Sequence, residues 1–100
     1  MYARITRSQV RIERVELSLK IIKESILPAA KAQKGYRGFL LFMNDKTGEG
    51  TIITLWESEH HCKASDDNHY YQEQLIKLMN YFTAPPVREE YEVEFYDLNF

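Results

Sequence analysis

Two segments, Gly38–Met43 and Thr51–Trp56, are apolar or threonine at nearly every position. A sheet with one face in water alternates polar and apolar residues, so strands of this kind have to be covered on both faces. The residues between them, 44–50, are rich in Asn, Asp and Gly, which predicts a β-hairpin. Whatever else the chain forms must therefore cover both faces of this hairpin.

The N-terminal third predicts a strand and then a long helix. Tyr2–Thr6 alternates as a short strand, and from about Val10 the apolar residues recur at steps of three and four. The helix should run for roughly twenty residues with a kink or restart near Leu27, since Pro28 has no amide donor. Gly35 provides a left-handed end. The predicted buried stripe is Ile12, Val15, Leu19, Ile22, Ile26 and Ala30.

The C-terminal half predicts a broken helix and a last strand. Ser58 can cap a helix that starts at Glu59, and the polar residues 66–68 interrupt it. The tail, Val87–Phe100, alternates as a strand, with a change of parity near Phe95 that suggests a bulge. The continuation of the helix is predicted to bury Tyr71, Leu75, Leu78, Met79 and Phe82.

The element order is strand, helix, strand, strand, helix, strand, which is the ferredoxin-like βαββαβ arrangement of the α+β class. We expect one domain over residues 1–100, a four-stranded antiparallel sheet, and the last strand at the edge beside the first. Two helices cover only one face of such a sheet. The other apolar face predicts a second subunit, and hence a homodimer with its sheets face to face.

Charge is unevenly distributed along the chain. Residues 1–37 contain nine Lys or Arg against three Glu, whereas residues 85–100 contain five acidic residues against Arg88. We expect the acidic tail to neutralise Arg4 and Arg7 on the neighbouring strand. The net charge of −2 lacks the basic surplus of a dedicated nucleic-acid binder.

Two further features bear on location. The longest apolar run, Phe39–Met43, is far shorter than the roughly 20 residues of a membrane span. The single cysteine, Cys62, has no internal partner for a disulfide, which predicts a reducing, cytoplasmic location.

Two motifs resemble those of the antibiotic biosynthesis monooxygenase-like domains of the dimeric α+β barrel superfamily. They are Lys34-Gly35-Tyr36-Arg37-Gly38-Phe39 at the start of the second strand and Trp56-Glu57-Ser58 at the end of the third. The resemblance implies a homodimer that exchanges C-terminal strands, with a small-molecule cavity between each sheet and its helices. It further implies oxygenation of quinol-like or other electron-rich aromatic molecules without a bound cofactor.

That chemistry defines what to search for. Ground-state oxygen is a triplet, so a substrate without metal or flavin must itself give up an electron, which its deprotonated form does more readily. The protein has to supply a dry aromatic pocket, an acceptor for the substrate proton and donors that stabilise the anion.

Trp56, His69 and His61 are the candidate catalytic residues. Trp56 would shape and polarise the pocket, or would simply pack the sheet against the second helix. His69 occupies a position where the family often has a histidine and would handle the proton, with His61 in reserve. The alternative for both is an exposed helix residue, as expected for the adjacent His60.

The candidate substrate-binding residues depend on the hairpin register. If Asn44 opposes Gly50, then Gly38 opposes Trp56 and leaves room for a ligand. On this register the pocket-lining residues on the face of Trp56 are Leu40, Phe42 and Thr54. A slip of one residue would exchange them for Phe39, Leu41 and Leu55. Tyr70 and Tyr71 follow on the second helix, and one of them could offer its phenol to the cavity.

Several functions are disfavoured or left open. No histidines lie four residues apart and no Cys-x-x-Cys occurs, so no metal site is predicted. Haem degradation is disfavoured, because the first strand lacks the family's Asn and the helix positions of its Trp and His fall near Ser65 and Leu75. Ile52 replaces an Asn that anthrone oxygenases commonly carry. A non-catalytic binding dimer and an isomerase or decarboxylase therefore remain alternatives.

Overall fold

The computed structural model describes all 100 residues. Its strands are β1 (Tyr2–Gln9), β2 (Tyr36–Met43), β3 (Glu49–Trp56) and β4 (Val87–Glu92). Its α-helices are α1 (Val15–Ile21), α2 (Leu27–Lys31), α3 (Glu59–Asp67) and α4 (Tyr70–Ile76). A 3₁₀ turn (Ile12–Arg14) precedes α1, a π-helical stretch (Ile22–Ile26) joins α1 to α2, and a second 3₁₀ turn (Met79–Tyr81) follows α4.

The four strands form one antiparallel sheet in the order β2-β3-β1-β4. This order confirms the predicted ferredoxin-like α+β fold, including β4 at the edge beside β1. The helices pack on one face of the sheet. No helix of the chain is long and apolar enough to cross a membrane.

The first helical segment is interrupted where Pro28 predicts it. Just before α2 the backbone widens into the π-helical stretch, and the Leu27 amide donates to the carbonyl of Ile22, five residues earlier. Proline cannot donate to a regular helical ladder, and a π turn relieves that mismatch. The predicted buried stripe is confirmed at Val15, Ile22, Ile26 and Ala30, but Ile12 is 56% exposed because it precedes the helix proper.

The hairpin is confirmed, but its predicted register is wrong by one residue. Met43, not Asn44, opposes Gly50, and Gly38 opposes Leu55. The Asn44 side chain instead accepts hydrogen bonds from the amides of Lys46 and Thr47, as a turn residue does. An irregularity between Tyr36 and Gly38 absorbs the remaining offset.

The second helix is broken as predicted, and the break changes which residues are buried. Ser58 caps α3, and His69 adopts a left-handed conformation with φ of 66° before α4 begins. This turn rotates α4 so that Tyr70 and Gln74 are buried, whereas Tyr71 and Leu75 are half-buried. Met79, predicted to be buried, is 58% exposed.

β1 presents polar side chains to the helices and apolar ones to the opposite side of the sheet. Its pairing with β3 places Arg4 opposite the buried Thr54, and Ile5 opposite Ile53. Arg4 therefore lies under the helices, while Ile5 belongs to the uncovered face. That face also carries Leu40, Phe42, Ile53 and Leu55.

The predicted ion pairs between the basic first strand and the acidic C-terminal segment are present only in part. Arg7 Nε lies 2.7 Å from Glu89, whereas Arg4 pairs with Asp66 of α3 at 3.3 Å. The final strand is also shorter than predicted, because β4 ends at Glu92 and residues 93–100 form no helix or strand. Four large side chains of this tail are exposed, namely Phe95, Tyr96, Leu98 and Phe100.

Candidate functional site

A cavity lies between the sheet and the helices. Its volume is about 40 Å³, which is room for one or two water molecules. Side chains of β1, β2 and β3 form its floor, and α4 with the π-helical stretch forms its roof. It is lined by Arg4, Thr6, Ile26, Phe39, Ile52, Thr54, Tyr70, Tyr71, Gln74, Leu75 and Leu78.

A second, smaller cavity of about 20 Å³ adjoins the first. Thr6, Ile52, Leu75 and Leu78 line both, so the two leucines of the roof separate the spaces. Ser18 of α1 lines the second cavity, and its buried hydroxyl has no hydrogen-bond partner. The layer between sheet and helices is thus divided by side chains rather than by backbone.

Arg4 brings a positive charge to the main cavity. Its side chain is 2% exposed, and its Nη2 donates to the Cys62 carbonyl at 2.8 Å and to Ser65 Oγ at 3.0 Å. Asp66 supplies the counter-charge, and Arg88 shares that carboxylate at 2.7 Å. Arg4 therefore holds α3 against the centre of the sheet.

Tyr71 stacks between two cations. The guanidinium carbon of Arg4 lies 4.3 Å from the centre of its ring, and that of Arg88 lies 5.0 Å away. Its hydroxyl is 2.9 Å from Thr6 Oγ1. Burial raises the pKa of Tyr71, although the Thr6 hydrogen bond and both arginines oppose the shift. The phenol is neutral at physiological pH and can donate a hydrogen bond.

Tyr70 is the second phenol of the cavity. Burial raises its pKa to about 12, which keeps this phenol neutral as well. Its ring meets that of Trp56 edge to face, with 6.2 Å between centroids. Both predicted tyrosines thus line the cavity, where they can donate a proton in a hydrogen bond but are poorly suited to remove one.

Trp56 is not among the side chains that line the cavity. Its side chain is completely buried, in a cluster with Ala30, Cys62 and Tyr70. The indole N–H donates to Thr54 Oγ1 at 3.0 Å, so it is already used within β3. The indole therefore packs the sheet against α3 and Tyr70, which is the alternative that the sequence left open for this residue.

With the corrected hairpin register, the other predicted lining residues lie on two different faces of the sheet. Thr54 lines the cavity, and the slipped alternative brings in Phe39. Leu40 and Phe42 point to the opposite, uncovered face, where Phe42 is 55% exposed. Their predicted place in the pocket is therefore wrong.

His61 contributes to a different, polar groove of about 170 Å³. Its Nδ1 lies 2.8 Å from the Ser58 hydroxyl. The ring packs on Gly35, where φ is 84° and an added Cβ would come within 2.3 Å of it. This contact explains the glycine of the first motif. The groove is lined by Gln33, Lys34, His60, His61, Ala64, Ser65 and Asn68.

His69 lies outside both spaces. It is exposed at the junction of α3 and α4, and it does not line the main cavity. No histidine lines that cavity, so the three predicted catalytic residues are not brought together. No group of three or more His, Cys, Asp or Glu side chains is arranged to hold a metal ion.

Sequence reasoning missed Arg4, Thr6 and Gln74 as cavity residues. Arg4 was assigned to the acidic tail, and Gln74 was not part of the predicted buried stripe. The available signal was the alternation of β1, in which Arg4, Thr6 and Ser8 share one face. The alternation does not by itself tell which of the two faces lies under the helices, and the structure puts the polar one there.

Comparison with known proteins identifies the fold. No protein-family model and no curated protein matches the sequence. The solved structures that match include a variant of MhuD with two manganese protoporphyrin IX bound per active site, at a TM-score of 0.76 and 19% identity over 100% of both chains.

Two Streptomyces proteins match equally well in shape. A variant of SnoaB from Streptomyces nogalater, described as a cofactor-independent oxygenase, has a TM-score of 0.74 and 12% identity over 95% of this chain and 94% of its own. The ActVA-Orf6 monooxygenase of Streptomyces coelicolor, in complex with nanaomycin D, has a TM-score of 0.74 and 12% identity over 99% and 92%. The chain therefore has the fold of the antibiotic biosynthesis monooxygenase-like proteins, as its motifs predicted.

Proposed function

We propose that this protein oxygenates a small quinol-like or aromatic molecule without a bound cofactor. The observation that carries this proposal is the cavity between sheet and helices, which combines the aromatic side chains of Phe39, Tyr70 and Tyr71 with the buried cation of Arg4. The descriptions of SnoaB as a cofactor-independent oxygenase and of ActVA-Orf6 as a monooxygenase support it.

The proposed reaction consumes one O₂ per substrate. The ionised ring transfers an electron to O₂, and recombination forms a hydroperoxide on a ring carbon. Loss of water from this intermediate leaves one oxygen atom in the product as a carbonyl, and the second oxygen leaves in the water. The protein contributes by excluding bulk water and by orienting the ring between apolar side chains.

Substrate entry requires side chains to move, because the cavity holds only one or two waters. Leu75 and Leu78 separate it from the adjoining cavity, so their displacement would join the two spaces. Leu75 is half-buried on α4, a helix of seven residues between the break at His69 and a 3₁₀ turn. We therefore place the substrate beneath α4, with Leu75 as the side chain that yields.

The direct test is oxygen uptake with a panel of quinols and hydroxyaromatics, measured with a metal chelator present and no flavin added. Leu75→Trp, which fills the space below α4, should lower turnover at least tenfold. Ile76→Trp is the matched control, because Ile76 is 63% exposed on the same helix. It should stay within twofold of the natural protein. Oxygen uptake no faster than in buffer, for every compound, would refute the proposal.

A second candidate is a ligand-binding dimer without catalysis. It is favoured by the absence of histidine from the cavity lining and by the neutral state of both phenols, which leaves no strong base there. A compound that raises the melting temperature while consuming no oxygen would support it. Product formation in anaerobic buffer would instead indicate an isomerase or decarboxylase.

Haem degradation remains disfavoured. The cavity lacks a histidine, and β1 has Arg4 in a strand where the haem-degrading branch carries Asn. The porphyrin complex of MhuD makes a direct test worthwhile. Titration with haem should give no stoichiometric Soret change, and a tight one-to-one complex would contradict this assignment.

We further propose a cytoplasmic homodimer joined through the uncovered sheet face and the tail after β4. That face carries Leu40, Phe42, Ile53 and Leu55, and the tail exposes Phe95 and Phe100. Light scattering should give twice the 11.9 kDa chain mass. Ile53→Lys should produce monomer, whereas Thr47→Lys at the exposed hairpin turn should not. A stable monomeric natural protein would exclude this interface.

A further inference from the structure

The Arg4 side chain is almost completely buried, although two of its three nitrogens have no hydrogen-bond partner. It is 2% exposed, yet only Nη2 has acceptors within the protein. Its Nε and Nη1 are buried without any partner. An unsatisfied buried donor destabilises the folded state, and more so when it belongs to a charged group. Anchoring α3 to the sheet explains the bonds of Nη2, but it does not explain the two unused nitrogens.

The unused donors belong to a side chain that lines the main cavity. Most of the other polar side chains there already have a hydrogen-bond partner, although the hydroxyl of Tyr70 has none. Thr54 Oγ1 accepts from Trp56, Thr6 Oγ1 bonds to the Tyr71 hydroxyl, and Gln74 Nε2 donates to the Tyr70 carbonyl. Arg4 thus provides the free N–H groups of a space that is otherwise mostly apolar.

Arg4 has no carboxylate to itself. Asp66 is the carboxylate paired with Arg4, and it is shared with Arg88. Glu90 also pairs with Arg88, at 3.4 Å. The two cations thus share two carboxylates, both of which contact Arg88, so a negatively charged ligand oxygen would give Arg4 a partner of its own. Burial strengthens this interaction, because little water screens it.

We propose that the ligand binds as an anion, through an ionised ring hydroxyl conjugated to a carbonyl, which accepts hydrogen bonds from Nε or Nη1 of Arg4. The inference rests on the proposed function and names its substrate class: acidic enols and phenols that are ionised at neutral pH. It also accounts for the lack of a base in the cavity, because such a substrate loses its proton to water before it binds. Arg4 then holds the form that transfers an electron to O₂.

The test compares two ligands of nearly equal shape, 2-hydroxy-1,4-naphthoquinone, which is ionised at neutral pH, and 2-methoxy-1,4-naphthoquinone, which cannot ionise. By isothermal titration calorimetry, the natural protein should bind the hydroxy compound at least tenfold more tightly. Arg4→Met should reduce that ratio to about one while changing the affinity for the methoxy compound less than threefold. Arg7→Met is the matched control, since Arg7 lies exposed on the other face of β1, and it should keep the ratio.

Equal affinity of the natural protein for the two ligands would overturn the inference, and so would an unchanged ratio in Arg4→Met. If Arg4→Met fails to fold, the ratio in the natural protein decides alone. Selective binding without oxygen uptake would refute the oxygenase while the anion site stands. Oxygen uptake without selective binding would refute the anion site while the oxygenase stands. Failure of both ligands to bind up to their solubility overturns the anion site.

Discussion

Trp56 donates its indole N–H to the hydroxyl of Thr54, two residues earlier on the same strand, at 3.0 Å. Both side chains point toward the helices and are buried. The bond leaves the indole without a free donor and fixes the Thr54 hydroxyl, which lines the cavity. Trp56 therefore acts on the cavity through Thr54 and Tyr70 and does not line it itself.

Removal of this acceptor should cost stability. Thr54→Val leaves the buried indole N–H without a partner, so the free energy of unfolding should fall by about 1–3 kcal/mol. Thr51→Val, on the same strand but on the opposite face, is the control and should change it by less than about 0.5 kcal/mol. Urea unfolding followed by Trp56 fluorescence measures both. Equal effects of the two substitutions would show that the bond contributes nothing.

His69 should tolerate replacement by glycine. Its φ of 66° is strained for a residue with a side chain, and its ring is exposed. We expect His69→Gly to unfold at the same or a higher temperature, with a gain of up to about 1 kcal/mol. Turnover should stay within twofold. A tenfold loss of turnover in a folded protein would restore His69 as the proton acceptor that the sequence suggested.

Cys62 should resist alkylation in the folded protein. It is completely buried, and burial raises the pKa of its thiol to about 11, so little thiolate is present at neutral pH. Iodoacetamide should react about 100-fold more slowly than with a free cysteine. In guanidinium the rate should rise to that of a free thiol. Rapid labelling in buffer without denaturant would show that α3 opens readily from the sheet.

Stability should decline at high pH through Tyr70. The folded protein holds its pKa at about 12, whereas the ordinary value is 10.0, so the unfolded chain releases its proton first. The contribution is complete below pH 10 and is lost between about pH 10 and 12. Tyr70→Phe should show a shallower decline of the urea midpoint over that range. Tyr96→Phe, in the exposed tail, should follow the natural protein.

The element order was predictable because the period of apolar residues changes clearly between strand and helix. The hairpin register was not. Alternation fixes the face of a strand only when one face is polar, and residues 38–43 are apolar on both. The turn at Asn44 and the irregularity beside Gly38 decide the register, and both depend on backbone geometry. The wrong placement of Leu40 and Phe42 follows from this single ambiguity.

The cavity was harder to predict than the fold. Histidine is the usual proton acceptor near neutral pH, and this drew attention to His61 and His69. The structure places both outside the main cavity, since His61 packs on Gly35 in the polar groove and His69 is exposed at the left-handed turn before α4. Arg4, a cation in the middle of a short strand, was a better indication of the cavity than either histidine. Its meaning emerges only when the strand order shows β1 between two neighbours and beneath the helices.

The outward orientation of Ile5 and the apolar residues beside it has a consequence for dilute solutions. The helices of the same chain do not shield that face, so in the proposed homodimer its burial comes from contact between molecules. The free energy of such contact depends on the logarithm of protein concentration. The melting temperature of the proposed homodimer should therefore rise with each tenfold increase in protein concentration, and a stability measured at one concentration should differ from that at another.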